Sequence, residues 1–172
     1  LTNTLLSRFG SKVTLPGTGI LMNNGMMWFD PREGVPNGIA PSARPLAIMS
    51  PAILSREGRP TMAIGAAGGR QIFPCIAQLI SYVTDRDMSL EEAFHAPRLD
   101  ASTPTVIVDQ AAAPDVAATV SRDYPVEIRA NSLHPVLFAI PSAVARSEGV
   151  NSGMAHPVNP WTACAAEGGG DG

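Results

Sequence analysis

A chain of 172 residues in which 45% are hydrophobic is long and apolar enough for one domain or a large piece of one, which excludes a disordered polymer. The net charge is -3 and Lys12 is the only lysine, so no basic stripe marks a nucleic-acid surface. The longest apolar runs, such as residues 133–140 with Pro135 inside, are too short for a membrane span, and no charged leader precedes an apolar stretch as in a signal peptide.

Sixteen glycines and sixteen prolines punctuate the chain into short elements. Leu1-Thr2-Asn3-Thr4-Leu5 reads as the middle of a strand, so a preceding segment is expected upstream. Residues 18–23 read as a strand following the Pro16-Gly17 turn, and residues 30–42, rich in Pro, Gly and Asn, as a surface loop. Two strands are predicted over residues 46–54 and 61–64, with residues 56–60 as a hairpin loop. Gly65-Ala66-Ala67-Gly68-Gly69 is a sharp glycine turn leading into a helix from about Gln71 to Thr84, where Pro74 suits the first turn. Ser89 and Glu92 form a capping-box pattern for a second, short helix. Residues 106–108 predict a strand, 114–120 a helix, and 126–128 and 136–140 two more strands. A flexible tail is expected over residues 167–172, leaving 1–166 as the folded part. Paired strands ahead of helices predict an α+β fold with helices packed on antiparallel sheet.

The sharpest local chemistry lies at strand–Gly65-Ala66-Ala67-Gly68-Gly69–helix. Paired glycines let a backbone approach a ligand closely and expose adjacent N–H groups at a helix start. Such donors suit a phosphate or the oxyanion of a tetrahedral acyl intermediate, and a plain tight turn explains the same letters. No Walker lysine accompanies the turn, which weakens the nucleotide version. His95, His134 and His156 are scattered and read as structural or exposed. The acidic and basic residues at positions 85–92 read as a solvated face with capping roles. Met22, Met26, Met27, Trp28 and Phe29 read as core or as a subunit interface. Cys75 reads as a buried free thiol; it and Cys164 lack metal-ligand spacing, so no metal is expected.

Several ordered stretches resemble the small subunit of γ-glutamyltranspeptidases. They are Phe9-Gly10-Ser11-Lys12-Val13, Pro16-Gly17-Thr18-Gly19-Ile20-Leu21-Met22-Asn23-Asn24, and Arg44-Pro45-Leu46 with Met49-Ser50-Pro51. Gly65 with Gly68-Gly69 follows, then Glu92-Ala93 with Ala96-Pro97-Arg98. The resemblance implies a portion of a four-layer αββα N-terminal-nucleophile (Ntn) hydrolase sandwich, made when a precursor cleaves itself into two subunits. It implies a large subunit of the same precursor as partner, a small-molecule amide or γ-glutamyl-type substrate, and no cofactor. It also implies a periplasmic or extracellular home for many bacterial members. The family nucleophile is a threonine that begins the small subunit, expected here a short segment upstream of Thr2. By the same resemblance Thr4 is the second threonine, which orients the nucleophile, and Gly68 and Gly69 are the oxyanion pair. Taken alone, the chain is expected to be inactive.

The departures from the family pattern concern substrate binding. Positions that grip the α-amine of a γ-glutamyl donor through asparagine, glutamine and aspartate are Leu6, Gly25 and Trp28 here. Two serines that help hold the α-carboxylate are Ala47 and Ile48. Each lost charge-assisted hydrogen bond is worth about 1.5–3 kcal/mol, so their joint loss predicts altered donor specificity. The alternative is a non-catalytic family member that acts as a structural or binding domain. Retention of Thr4 and the Gly68-Gly69 pair favours the enzyme.

Overall fold

The computed structural model of the chain describes residues 3–7, 9–132, 135–147 and 149–164. It holds two compact units, Leu1–Ala47 and Ile48–Gly172.

The first unit carries little regular structure. Pro16-Gly17-Thr18-Gly19 forms the tip of an irregular hairpin, in which the Leu15 amide donates to the Ile20 carbonyl at 2.8 Å and the Met22 amide to the Val13 carbonyl at 2.9 Å. Thr14 and Leu21 form an isolated bridge, and the strand expected over residues 18–23 reduces to it. The side chains here are mostly exposed, and a strand with no buried face has nothing to hold a longer register. Residues 3–6 form no strand, and Leu1 and Thr2, where the expected opening strand begins, lie outside the described residues. Gly10 has a φ of 59°, and a Cβ there would run into the Met22 carbonyl oxygen, so the motif needs this glycine. A single 3-10 turn spans Gly25–Trp28. Residues 30–42 are loop, as predicted, and Asn37 staples them: its Nδ2 donates to the Trp28 carbonyl at 2.6 Å and its Oδ1 accepts from the Leu46 amide at 3.0 Å. The methionine clump does not form a core within this chain. Met22, Met26 and Met27 are exposed, and Gly10 is the single buried residue among those described in the unit.

The second unit begins its regular structure with β1 (Ala52–Arg56) and β2 (Arg59–Ala67). Arg56 pairs with Arg59, so the hairpin closes on Glu57-Gly58, whose φ values of 53° and 76° match the twist of the strands. The strand expected from residue 46 starts only at Ala52, because Pro51 has no amide to extend the ladder. β6 (Ile140–Ser147) and β7 (Val150–Ala155) complete an antiparallel sheet of order β1-β2-β6-β7. The strand predicted over 136–140 therefore begins at its last residue; Ala139, at φ 58°, interrupts extended backbone just before it. β7 escaped prediction because its residues, Val-Asn-Ser-Gly-Met-Ala, carry no apolar alternation.

Two helices cover one face of this sheet. α1 (Ile72–Asp85) buries Ile72, Cys75, Ile76 and Leu79, the spacing of a single helical stripe. α2 (Leu90–His95) starts at the predicted capping box: the Ser89 Oγ accepts from the Glu92 amide at 3.2 Å and the Glu92 carboxylate accepts from the Ser89 amide at 2.9 Å. These helices pack with Met62, Ile64 and Ala143 into one core. The other face of the sheet carries an open groove of about 1100 Å³, lined by Ile53, Ala63, Val144 and Gly153 among others.

A smaller sheet has the order β3 (Leu99–Asp100), β4 (Val106–Asp109), β5 (Val126–Arg129). Here β4 and β5 run parallel, which requires the crossover that α3 (Pro114–Val120) supplies. That pair departs from antiparallel pairing in an otherwise antiparallel α+β architecture. The predicted flexible tail, 167–172, and His134 lie outside the described residues.

Candidate active site

The glycine-rich run divides between two elements. Gly65, Ala66 and Ala67 still belong to β2, and Ala67 pairs with Ile140 at the end of the ladder. The turn itself is Gly68 and Gly69, with φ of 141° and 64°, values open to glycine and strained for other residues. A 3-10 turn over Gly69–Gln71 then feeds α1, and the Gln71 amide donates to the Gly68 carbonyl at 3.3 Å. A Cβ on Gly68 would stand 2.8 Å from the Ala139 Cα and 2.9 Å from its Cβ, too close for any side chain. Both glycines are exposed. Among the described residues neither of their amides donates a turn or loop hydrogen bond. Exposed N–H groups at a glycine turn ahead of a 14-residue helix have the chemistry to donate to a negatively charged ligand.

Ile48 stands beside this turn, its Cδ1 3.9 Å from where a Cβ on Gly69 would lie. The structure thus brings Ile48 and Gly69 together within the second unit. Thr4, Leu6, Gly25, Trp28 and Ala47 belong to the first unit. Thr4 is half-buried, and its Oγ1 accepts from the Leu6 amide at 3.2 Å. An accepting hydroxyl keeps its own proton available for a second bond. Leu6 is half-buried with a φ of 56°. The Gly25 amide donates to the Asn23 Oδ1 at 2.8 Å, and a Cβ on Gly25 would meet that oxygen at 2.9 Å. Trp28 is half-buried and Ala47 exposed.

His95 is exposed, with its Nδ1 2.8 Å from the Glu91 carbonyl. His156 is buried, and burial, aided by the positive charge of Arg98, holds its pKa down to about 4. Burial pushes the Cys75 thiol up, with Arg98 opposing. Arg98, the last residue of the Ala96-Pro97-Arg98 motif, is buried: one guanidinium nitrogen, Nη1, donates to the Cys75 Sγ and to the Phe138 carbonyl, both at 2.6 Å. The motif marked Arg98 in the sequence, but its neighbours Pro97 and Leu99 offer no charge pattern that would reveal its burial or its partners.

Residues 1–160 match the family model for gamma-glutamyltranspeptidase. Over 98 residues the chain is 43% identical to the acylase ACY 1 proenzyme of Pseudomonas sp. (strain SE83), a stretch that is 57% of this chain and 18% of that proenzyme. Over 108 residues it is 38% identical to the glutathione hydrolase proenzyme of Pseudomonas sp. (strain A14), covering 57% of this chain and 19% of the relative. The chain therefore spans about a fifth of the length of the curated relatives it matches. Among solved structures it resembles the gamma-glutamyltranspeptidase of Pseudomonas nitroreducens, with a TM-score of 0.75 and 25% identity over 97% of this chain and 92% of that one. The family model covers nearly the whole chain and the fold matches that of a solved gamma-glutamyltranspeptidase, so the chain belongs to the gamma-glutamyltranspeptidase family.

Proposed function

We propose that this chain is the small-subunit portion of a self-cleaving amide hydrolase or acyltransferase whose donor is less polar than a γ-glutamyl group. It works with a large subunit from the same precursor. The nucleophile is a threonine at the head of the mature small subunit, upstream of Thr2. Its hydroxyl attacks the amide carbon while its own α-amine takes the proton. The oxyanion that forms accepts hydrogen bonds from the Gly68 and Gly69 amides, of which one such donor is worth about 3 kcal/mol in the transition state. The amine leaves with the proton, and water or a second amine releases the acyl group. Thr4 orients the nucleophile through its remaining hydroxyl proton.

The observation that carries the donor reading is Ile48 beside the Gly68-Gly69 turn, 3.9 Å from the Gly69 Cβ direction. A sec-butyl side chain there offers no hydrogen bond to a substrate carboxylate and welcomes an apolar acyl chain. Leu6, Gly25, Trp28 and Ala47 carry the same change of chemistry at the other head-group positions. The similarity to an acylase proenzyme agrees with that reading.

The test is a hydrolysis assay of the complete self-cleaved precursor on γ-glutamyl-p-nitroanilide, simple acyl anilides and glutaryl amides. Faster turnover of a donor lacking the α-amino group is expected. Preference for the γ-glutamyl compound would overturn the donor assignment. Silence on all of them after clean self-cleavage would favour the non-catalytic alternative. The isolated chain is expected to show no turnover in the same assay.

A further inference from the structure

We propose that Arg98 is a positioning residue for the Gly68-Gly69 turn, acting through the Phe138 carbonyl and Ala139; this rests on the oxyanion role given to that turn above. Arg98 is 1% exposed, Phe138 2% and Ala139 0%, so all three are fixed in the interior. Its Nη1 holds two elements at once, each at 2.6 Å: Cys75 in the first turns of α1, and Phe138 in the segment entering β6. Those two elements flank the glycine turn. α1 is what the turn leads into, and Ala67 paired with Ile140 is the last rung of the ladder before it. One step beyond that rung, Gly68 and Ala139 face each other so closely that no side chain fits between them.

Ala139 forms the wall against which Gly68 rests, and it does so in the left-handed region, at φ 58°. A non-glycine residue stays in that region only where its surroundings over-determine it. The bond from Arg98 to the preceding carbonyl is the interaction that orients this peptide. A guanidinium keeps its charge even when buried, which makes it a costly way to fill space and an effective one to hold a carbonyl rigidly. A methionine would fill much of the same volume and leave the Phe138 carbonyl unheld. The direction of the Gly68 and Gly69 amides, on which oxyanion stabilisation depends, follows from the wall behind them.

The experiment uses the assembled, self-cleaved enzyme with a donor that the wild type hydrolyses, and compares Arg98→Met, Arg98→Lys and Ala139→Gly. Active sites are counted by the acyl-enzyme burst, so that kcat is expressed per competent site. Arg98→Met is expected to lower kcat about tenfold or more with KM changed less than about twofold, the signature of an interaction felt in the transition state. Arg98→Lys should recover part of the loss, since an ammonium still donates to one acceptor. Ala139→Gly removes the wall but not the guanidinium, and should lower kcat several-fold at unchanged KM. A structural role alone would lower the number of competent sites and leave kcat per site unchanged, and that result overturns the proposal. Should Arg98→Met fail to fold or to self-cleave, Ala139→Gly decides by the same criterion. A wild type silent on every donor sinks the catalytic reading and the positioning role with it. An active wild type with unaffected variants sinks the positioning role alone.

Discussion

His156 shows how one buried residue sets a pH dependence. The ring is 4% exposed, and neither nitrogen has a hydrogen-bond partner among the described residues. Its pKa lies at about 4, lowered first by burial and then by Arg98, against an ordinary value of 6.5. Between those values the unfolded chain takes up a proton that the folded chain refuses. The stability contributed by the neutral ring is therefore complete above pH 6.5 and lost as pH falls towards 4, by up to about 3 kcal/mol. His156→Phe should flatten this stretch, so that urea midpoints of the assembled protein at pH 7 and pH 4.5 differ less than in wild type. An equal difference in both proteins would assign the acid sensitivity elsewhere. The sequence shows only Ala155-His156-Pro157, and nothing local to those letters predicts burial. The family motif marked Arg98, but its burial and its partners were not legible, because those partners lie 23 and 40 residues away.

Elements specified by neighbours in sequence were legible; those specified by distant partners were not. The Ser89–Glu92 box spans four residues, and it caps α2 where the pattern placed it. Ser89→Ala should cost about 1 kcal/mol, read as a lowered denaturant midpoint of the assembled protein, and Ser89→Asp should restore most of it. A neutral Ser89→Ala would mean that packing of Leu90, Ala93 and Phe94 alone holds the helix. The glycine turn was read correctly in kind but one element too early, since Gly65 to Ala67 pair with β6 as strand. β7 has no apolar period of its own, and the expected strand at residues 18–23 has no buried face. For both, pairing is decided by what lies alongside rather than by the letters.

At the scale of the whole molecule, apolar surface remains after both units are folded. Phe9 is 72% exposed and Met26 and Met27 58% each in the first unit; Ile53 at 72% and Val144 at 60% line the uncovered groove of the larger sheet. Singly exposed apolar residues are ordinary, but this groove is continuous on a sheet whose opposite face is already packed. The partner proposed to cover it is the large subunit of the precursor. Val144→Lys is expected to leave the β6 pairing intact, because the side chain points away from the helix-covered core, and to reduce co-purification of the two subunits. Unchanged assembly would move the docking surface off this face. No helix among the described residues is long and apolar enough to cross a membrane. The sequence by itself determined the ordered family motifs, the α+β class, the capping box and the glycine turn, because each is built from short local patterns and their order along the chain. Only the tertiary structure decided which face of the sheet is packed, that Ile48 stands beside Gly69, and that Arg98 ties α1 to the wall behind Gly68. Those facts rest on contacts between distant segments, and such contacts leave no period or spacing to read.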